Sequence, residues 1–287
     1  MTAFVAAAGL DEACELARAN PGAKFVSGGT ALVLLLQQRL LAPALLIGLG
    51  ALGDVPGWRE IRTDDGWLHL GGGVTLAEVA TSPLARRHAP SLARAAGLVG
   101  NQRVRNVATM GGAVAEADYA ADIPAVLVNL GAVVEISDGS RARAVPVAGF
   151  LLDYFSTVLA PDEVVTGVRV PLAPAGTVTS YLKFSSRSAE DRPCVVVAAS
   201  AVLSGQRVQA LDVVVGAIGP VPQRWPDVLA AAAGGPLDDA AAAAVADGYA
   251  AACDPLDDIR GSAWYRREIV RTLVRRAVAA VGRGGRD

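Results

Sequence analysis

The sequence predicts an α+β protein assembled from three subdomains. Its 287 residues exceed what one hydrophobic core usually serves. Segments of helical and strand periodicity alternate through the first half, and the last third gathers three long strand-like runs ahead of alanine-rich helices. The changes of pattern divide the chain into 1–54, 55–172 and 173–287. With 52% hydrophobic residues, each part can bury a core, so disorder is not expected.

In the first part, Leu10 to Ala19 carries apolar residues at helical spacing and stops at Asn20-Pro21-Gly22. Lys24-Phe25-Val26 reads as a short strand feeding Ser27-Gly28-Gly29-Thr30. An apolar helix is expected over Ala31 to Leu41, and a strand over Leu45 to Ile47. In the second part, the strand Trp67 to Leu70 runs into Gly71-Gly72-Gly73. Thr75 and Glu78 form a capping box opening a helix that Pro83 interrupts or ends. A helix near Ser91 to Val99 precedes the polar, basic run Asn101 to Asn106; then come Thr109-Met110-Gly111-Gly112 and a helix from Ala120 to Asn129. Strands are expected over Ala132 to Ile136 and Val164 to Val170, which are rich in β-branched residues. The third part begins near Pro174. It offers an antiparallel sheet from Tyr181 to Phe184, Cys194 to Leu203 and Val208 to Ile218, then helices ending in Trp264 to Val281.

Several function classes drop out early. A formal charge of −2 with mixed signs gives no footprint for nucleic acid. The most apolar stretch, residues 31–53, is interrupted by Gln37, Gln38, Arg39, Pro43 and Gly48, so no transmembrane segment is expected. Asp11 and Glu12 follow a start without a basic region, which argues against a signal peptide and for a cytoplasmic protein. Cys14, Cys194 and Cys253 are too few and too scattered for a disulfide framework or a four-cysteine cluster. Of the two histidines, His69 alternates within a strand and His88 follows Arg86-Arg87; both read as structural or solvated. No metal site and no catalytic side chain stand out, which points to a bound cofactor as the working chemistry.

Three glycine motifs compete for that cofactor. Gly48-Leu49-Gly50-Ala51-Leu52-Gly53 matches the G-x-G-x-x-G pattern, but Asp54-Val55-Pro56-Gly57 forbids the helix the motif needs, so it reads as a flexible link. Ser27-Gly28-Gly29-Thr30 suits a pyrophosphate better: two glycines admit close backbone approach, hydroxyls flank them, and a helix follows. The competing reading is a plain turn capped by Thr30. Thr109-Met110-Gly111-Gly112 is a second such loop, ahead of Asp118 and Asp122. Two separated loops fit one elongated dinucleotide.

These segments resemble the FAD-binding medium subunit of molybdenum hydroxylases of the carbon monoxide dehydrogenase and xanthine dehydrogenase type, over nearly the whole chain. Lys24 to Leu32 looks like the family's first flavin loop and Val104 to Gly112 like its second. Asp122 falls at an acidic position after that loop, and Tyr181-Leu182-Lys183 matches a Tyr-x-Lys strand. Asp258 to Ala263 with Tyr265-Arg266-Arg267 matches a C-terminal signature. The resemblance implies a fold of the vanillyl-alcohol-oxidase (PCMH) type, in which two α/β subdomains clamp FAD and a C-terminal α+β subdomain packs against the flavin edge.

By the same carry-over, Ser27, Gly28, Gly29, Thr30 and Ala31 would hold the pyrophosphate. Thr109, Gly111, Gly112 and Asp122 would form the second loop, Asp122 anchoring that loop or the ribose–adenine end. Val165 and Lys183 would lie close to the flavin ring, where the Lys183 ammonium would stabilise negative charge on reduced flavin. The chain would act as an electron-transfer subunit. An iron–sulfur small subunit would carry [2Fe–2S] clusters and a large subunit the molybdenum cofactor, in a dimer of heterotrimers. Ala113, Glu116, Tyr119 and Arg192 depart from the family's usual residues. Arg266, Arg267, Arg271, Arg275 and Arg276 on the last helix read first as a solvated face and second as a docking face. The rival functions are an autonomous flavin oxidase of the same fold and a flavin-free scaffold subunit.

Overall fold

A computed structural model describes residues 2–50, 52–204, 207–230, 232 and 234–284. The chain begins with a strand, β1 (Ala3–Ala6), followed by α1 (Leu10–Ala19), β2 (Lys24–Val26), α2 (Leu32–Gln37) and β3 (Leu45–Gly48). The strands form a parallel sheet in the order β1-β3-β2. Ala13, Cys14 and Ala17 on one face of α1 bury against Ile47, Leu49, Leu52 and Trp58.

Three expectations are corrected here. β1 was hidden because, as an edge strand with only Val5 partly covered, it lacks the alternation that reveals a strand. The helix expected to run to Leu41 stops at Gln37, since Arg39 takes a left-handed turn at φ 58° and Pro43 follows. The Gly48–Gly53 segment is no flexible link: Leu49 and Leu52 are buried in the first core, although Ala51 lies outside the described residues. As expected, no helix follows it; Asp54 instead accepts the Leu10 N–H at 2.9 Å.

The middle of the chain supplies β4 (Ile61–Asp64), β5 (Trp67–Gly71), α3 (Leu76–Thr81), α4 (Pro83–His88), α5 (Pro90–Leu98), α6 (Gln102–Arg105), α7 (Met110–Ala115) and α8 (Ile123–Asn129). It continues with β6 (Val133–Ser137), β7 (Ala142–Pro146), α9 (Val147–Phe150), β8 (Leu151–Asp153), β9 (Ser156–Thr157) and β10 (Val164–Pro171). Five of the strands make an antiparallel sheet ordered β4-β5-β10-β6-β7. Leu68 and Leu70 bury inward while Trp67 and His69 are partly covered, which accounts for His69 as a strand residue. Thr75 and Glu78 form the reciprocal capping box that opens α3. Pro83 not only ends that helix but begins the next, behind the Ser82 cap. The helix expected from Ala120 starts at Ile123, with Pro124 in its first turn.

The last third forms the antiparallel sheet of β11 (Thr177–Phe184), β12 (Val195–Ser204) and β13 (Arg207–Gly216), then α10 (Pro226–Ala230), α11 (Asp239–Ala252) and α12 (Ala263–Gly282). Two of the alanines in the 230–233 run, Ala231 and Ala233, lie outside the described residues. β12 is apolar on both faces. Val195, Val197, Ala199 and Ala201 join the core with α11 and α12, while Val196 and Ala198 join the core that contains α5 and α8. The sheet is thus a middle layer between two sets of helices, which is why an almost continuous apolar run is needed. Among the described residues no helix is long and apolar enough to cross a membrane.

The C-terminal signature is a clasp on this layer. Arg266 is fully buried, which overturns both readings of the arginine stripe at that position. Its guanidinium donates to the carbonyls of Cys194 and Ala217, the latter at 2.5 Å, and to Asp258. Asp258 also accepts the Arg260 N–H at 2.7 Å, Arg260 Nη1 at 2.9 Å and the Tyr119 hydroxyl at 2.9 Å. The clasp therefore ties α12, the ends of β12 and β13, and the loop after α7. Arg271 is engaged with Glu268 and Asp247.

Burial pushes the Asp258 carboxyl up, but the Arg260 N–H, the Tyr119 hydroxyl and Arg266 outweigh it and hold the group at about 2. An unfolded aspartate titrates near 3.9, so the unfolded chain binds this proton more readily as pH falls. The stabilisation is present above about pH 4 and is lost as pH drops toward 2, amounting to about 2 kcal/mol. Urea unfolding of the wild type should lose stability steeply across that window. Asp258→Asn should be less stable near neutrality and show a shallower acid limb; an identical limb would remove Asp258 as its source.

Candidate functional site

Three backbone segments meet with almost no side chain between them. The loop between β2 and α2 presses Gly28 on the chain before α7, where a Cβ would lie 1.9 Å from the Val107 carbonyl oxygen. The Thr109 hydroxyl donates to Ser27 Oγ at 3.1 Å across the same junction. Thr109 also pairs with Thr75, Met110 N–H donates to the Val74 carbonyl, and Gly111 N–H to the Gly72 carbonyl at 2.9 Å. A Cβ on Gly111 would sit 2.9 Å from that Gly72 oxygen, and one on Gly72 only 2.4 Å from the Val165 carbonyl oxygen. Gly28 and Gly111 are thus demanded by chain-to-chain packing, not by ligand approach alone as the motif reading assumed.

The two loops differ in the donors they leave over. In the second, the N–H groups of Met110, Gly111 and Gly112 are all used within the chain, that of Gly112 on the Thr109 hydroxyl at 3.2 Å. In the first, Gly29 sits in the left-handed region at φ +67°. The main-chain N–H groups of Gly28, Gly29, Thr30 and Ala31 have no acceptor among the described residues. Thr30 does not cap α2; Ala31 occupies that position without a side-chain bond, so the plain capped turn does not form. Four consecutive open donors are the kind of group that suits an anion.

Ser27 and Leu32, which flank these donors in the chain, line a cleft of about 530 Å3 with Gly72, Gly111, Gly112 and Val165; Gly28, Gly29, Thr30 and Ala31 are not among its lining residues. Phe25, Leu35, Leu41 and Leu49 give it apolar walls. Trp58 lines it too, 6% exposed, with its indole N–H lacking a partner. Among the charged residues there, Glu163 is tied to Arg143 at 2.6 Å and Lys24 is exposed. Burial pushes the Glu116 carboxyl up and Asp118 adds to it, while Arg192 and Lys24 pull it down. Volume, apolar walls and a few polar groups suit an organic cofactor. The sequence reading missed Trp58, Gly72 and Glu116; Gly71-Gly72-Gly73 after a strand was the available signal.

Asp122 and Lys183 lie elsewhere. They form a buried ion pair at 3.2 Å, with side chains 4% and 6% exposed. The Tyr181 hydroxyl donates to Asp122 at 2.5 Å and Lys183 donates to the Leu98 carbonyl at 2.8 Å. Burial pushes the Asp122 carboxyl up against the pull of Lys183 and Tyr181. Two expectations change. Residues in direct contact cannot stand at opposite ends of an extended dinucleotide, so Asp122 at the ribose–adenine end and Lys183 at the ring are incompatible. A second concerns Val165 and Lys183: Val165 lines the cleft, and Lys183 is not among its lining residues. The charge of Lys183 is balanced by Asp122, which mutes any field it exerts.

The departures have local explanations. Tyr119 joins the Asp258 clasp and its ring meets Tyr154 edge-on at 5.1 Å. Arg192 ion-pairs with Asp118. Ala113 simply continues α7.

The description "FAD binding domain in molybdopterin dehydrogenase" matches residues 1–173, and "CO dehydrogenase flavoprotein C-terminal domain" matches residues 180–281. The nicotine 6-hydroxylase medium subunit of Paenarthrobacter nicotinovorans is 30% identical over 97% of this chain and 96% of its own. The glyceraldehyde dehydrogenase medium chain of Sulfolobus acidocaldarius is 29% identical, over 97% of both. Quinoline 2-oxidoreductase from Pseudomonas putida 86 superposes with a TM-score of 0.93 at 27% identity, covering 99% and 98% of the two chains. Carbon monoxide dehydrogenase from Hydrogenophaga pseudoflava superposes at 0.92 and 30% identity, covering 97% and 96%. The α+β architecture expected from the sequence is the one these structures have.

Glycine substitutions separate fold from ligand. A Cβ at Gly112 meets nothing closer than the Thr109 hydroxyl, at 3.1 Å, whereas one at Gly28 strikes backbone. Gly28→Ala should lower the melting temperature and FAD retention together. Gly112→Ala should leave the FAD-free melting temperature within about 2 °C of wild type and still weaken FAD binding about tenfold or more. Full FAD occupancy in Gly112→Ala would mean that this face of the cleft does not meet the cofactor.

Proposed function

The chain belongs to the family of FAD-binding medium subunits of molybdenum hydroxylases, an oxidoreductase component, and from that premise we propose that it works as the electron relay of a heteromeric enzyme. The relay takes electrons from [2Fe–2S] clusters on a small subunit, supplied by a molybdenum cofactor on a large subunit, and hands them to an external acceptor. A dimer of heterotrimers in the cytoplasm is the assembly we infer, with subdomain borders near residues 54 and 172.

The observation that carries this reading is the run of open donors from Gly28 to Ala31 beside an apolar cleft. These N–H groups would hold the FAD pyrophosphate, with the Ser27 hydroxyl at their edge. The second loop gives shape: Gly111 and Gly112 let the cofactor approach backbone, and Thr109 fixes both loops through Ser27. Trp58 offers the cleft its ring, its indole N–H being buried beside Gly73, and Glu116 is a lining carboxyl that could meet a hydroxyl of the ligand. Val165 lines the cleft beside Gly72. Asp122 and Lys183 act as a positioning pair, joining α8 and β11 while orienting the carbonyl of Leu98. Bound FAD supplies the exchange between electron pairs and single electrons; the chain binds it, screens it from water and sets its orientation.

An autonomous oxidase would need a general base at the cleft. Its lining residues include no histidine and Glu163 is committed to Arg143, which leaves Glu116 as the group such an oxidase would have to use. Expressed alone, the FAD-loaded chain should show no substrate-driven flavin bleaching under anaerobic stopped flow. Co-expression with its neighbouring subunits should restore bleaching. Rapid bleaching of the isolated chain by a hydroxylatable substrate would overturn the relay reading, and a colourless chain that takes up no FAD would favour the scaffold.

A further inference from the structure

A second cleft, of about 370 Å3, opens among α3, α4, α5 and α6. Its lining includes small residues of α3 and α5, Ala77, Ala80 and Gly97 among them, together with Arg86, Arg94 and Arg105. It shares no lining residue with the cofactor cleft, and no carboxylate lines it. The arginines between residues 86 and 105, namely Arg86, Arg87, Arg94, Arg103 and Arg105, form no ion pair with any described carboxylate. Arginines elsewhere in this chain commonly do, for example Arg18, Arg143, Arg169, Arg260 and Arg271.

Two of the three lining guanidiniums are held by neutral oxygens. Arg86 donates to the Ala80 carbonyl at 2.9 Å. Arg105 donates to the Val99 and Gly100 carbonyls at 3.1 and 2.7 Å and to Gln102 at 3.0 Å. Carbonyl bonds orient a guanidinium without cancelling its charge, so both remain cationic and partly preorganised. Arg94 is exposed and has no partner among the described residues. A chain of net charge −2 that gathers uncompensated arginines in one concavity concentrates positive potential there.

We propose that this cleft binds a phosphate-bearing small molecule. The phosphate or pyrophosphate would be clamped by Arg86, Arg94 and Arg105, and a flat organic body would lie on the alanine and glycine wall. A guanidinium matches phosphate oxygens in bidentate fashion, and a wall of Ala77, Ala80 and Gly97 has no projecting side chain to obstruct a planar ring. A nucleoside diphosphate is the simplest ligand with both parts, and the cleft volume falls within the range of small-molecule sites. Leu98 lines the cleft and its carbonyl accepts Lys183 Nζ, so occupancy lies one residue from the Asp122–Lys183 pair.

The test uses FAD-saturated protein, so that the cofactor cleft cannot take up the probe, and titrates ADP by calorimetry at low and at moderate salt. One saturable site is expected, weakened by added salt and displaced by inorganic pyrophosphate. Arg94→Gln should weaken ADP about tenfold or more without changing melting temperature or FAD content, because Arg94 is exposed and makes no hydrogen bond or ion pair with a described residue. Arg103→Gln, from the same basic segment but outside the lining, should bind as wild type does. Ala77→Leu should weaken ADP and leave pyrophosphate little changed. Absence of saturable binding of either probe up to about 1 mM, or ADP binding that Arg94→Gln leaves unaltered, would overturn the assignment.

Discussion

The contact of main chain on main chain at Gly28, Gly72 and Gly111 is the constraint on which the rest of the site depends. A side chain at Gly28 would have to occupy the place of the Val107 carbonyl, and one at Gly72 that of Val165. Because these segments touch directly, the parallel N-terminal sheet and the five-stranded sheet share one floor. The first glycine loop is then held open by packing from below. Its N–H groups have no acceptor among the described residues and, being only partly buried, are left to water or a ligand. On the proposed reading, donors so placed would bind an anion without first reorganising.

Two buried polar clusters attach the C-terminal layer to this frame. Asp122, Tyr181 and Lys183 join α8 to β11, and Asp258 with Arg266 joins α12 to β12, β13 and the loop carrying Tyr119. Buried ion pairs seldom add net stability over apolar packing, but removal of one partner is costly, so such clusters fix which surfaces meet. The same pairing limits chemistry. The field of Lys183 is muted by its pairing with Asp122, and the contacts it makes join α8, α5 and β11.

Much of this was legible in the sequence where a local rule acts alone. The Thr75–Glu78 cap, the Lys24–Val26 strand and the two Gly-Gly loops follow from residue types at fixed spacing. What escaped depends on partners distant in sequence. Arg266 has the look of a surface charge because its acceptors come from residues 194, 217 and 258. Trp58 and Gly72 enter the cleft only once β5 and β10 pair. Asp122 and Lys183, 61 residues apart, could be matched to family positions but not seen to touch. The unequal roles of the two loops were invisible as well, because hydrogen-bond use by Gly111 depends on Gly72.

Amide exchange resolved residue by residue, with and without FAD, tests the division between the loops most directly. The N–H groups of Gly28, Gly29, Thr30 and Ala31 should exchange fast in the FAD-free chain and become protected when FAD binds. Those of Met110, Gly111 and Gly112, already bonded within the chain, should be protected in both states. Protection of residues 28–31 without FAD, or an FAD effect confined to residues 110–112, would contradict the account.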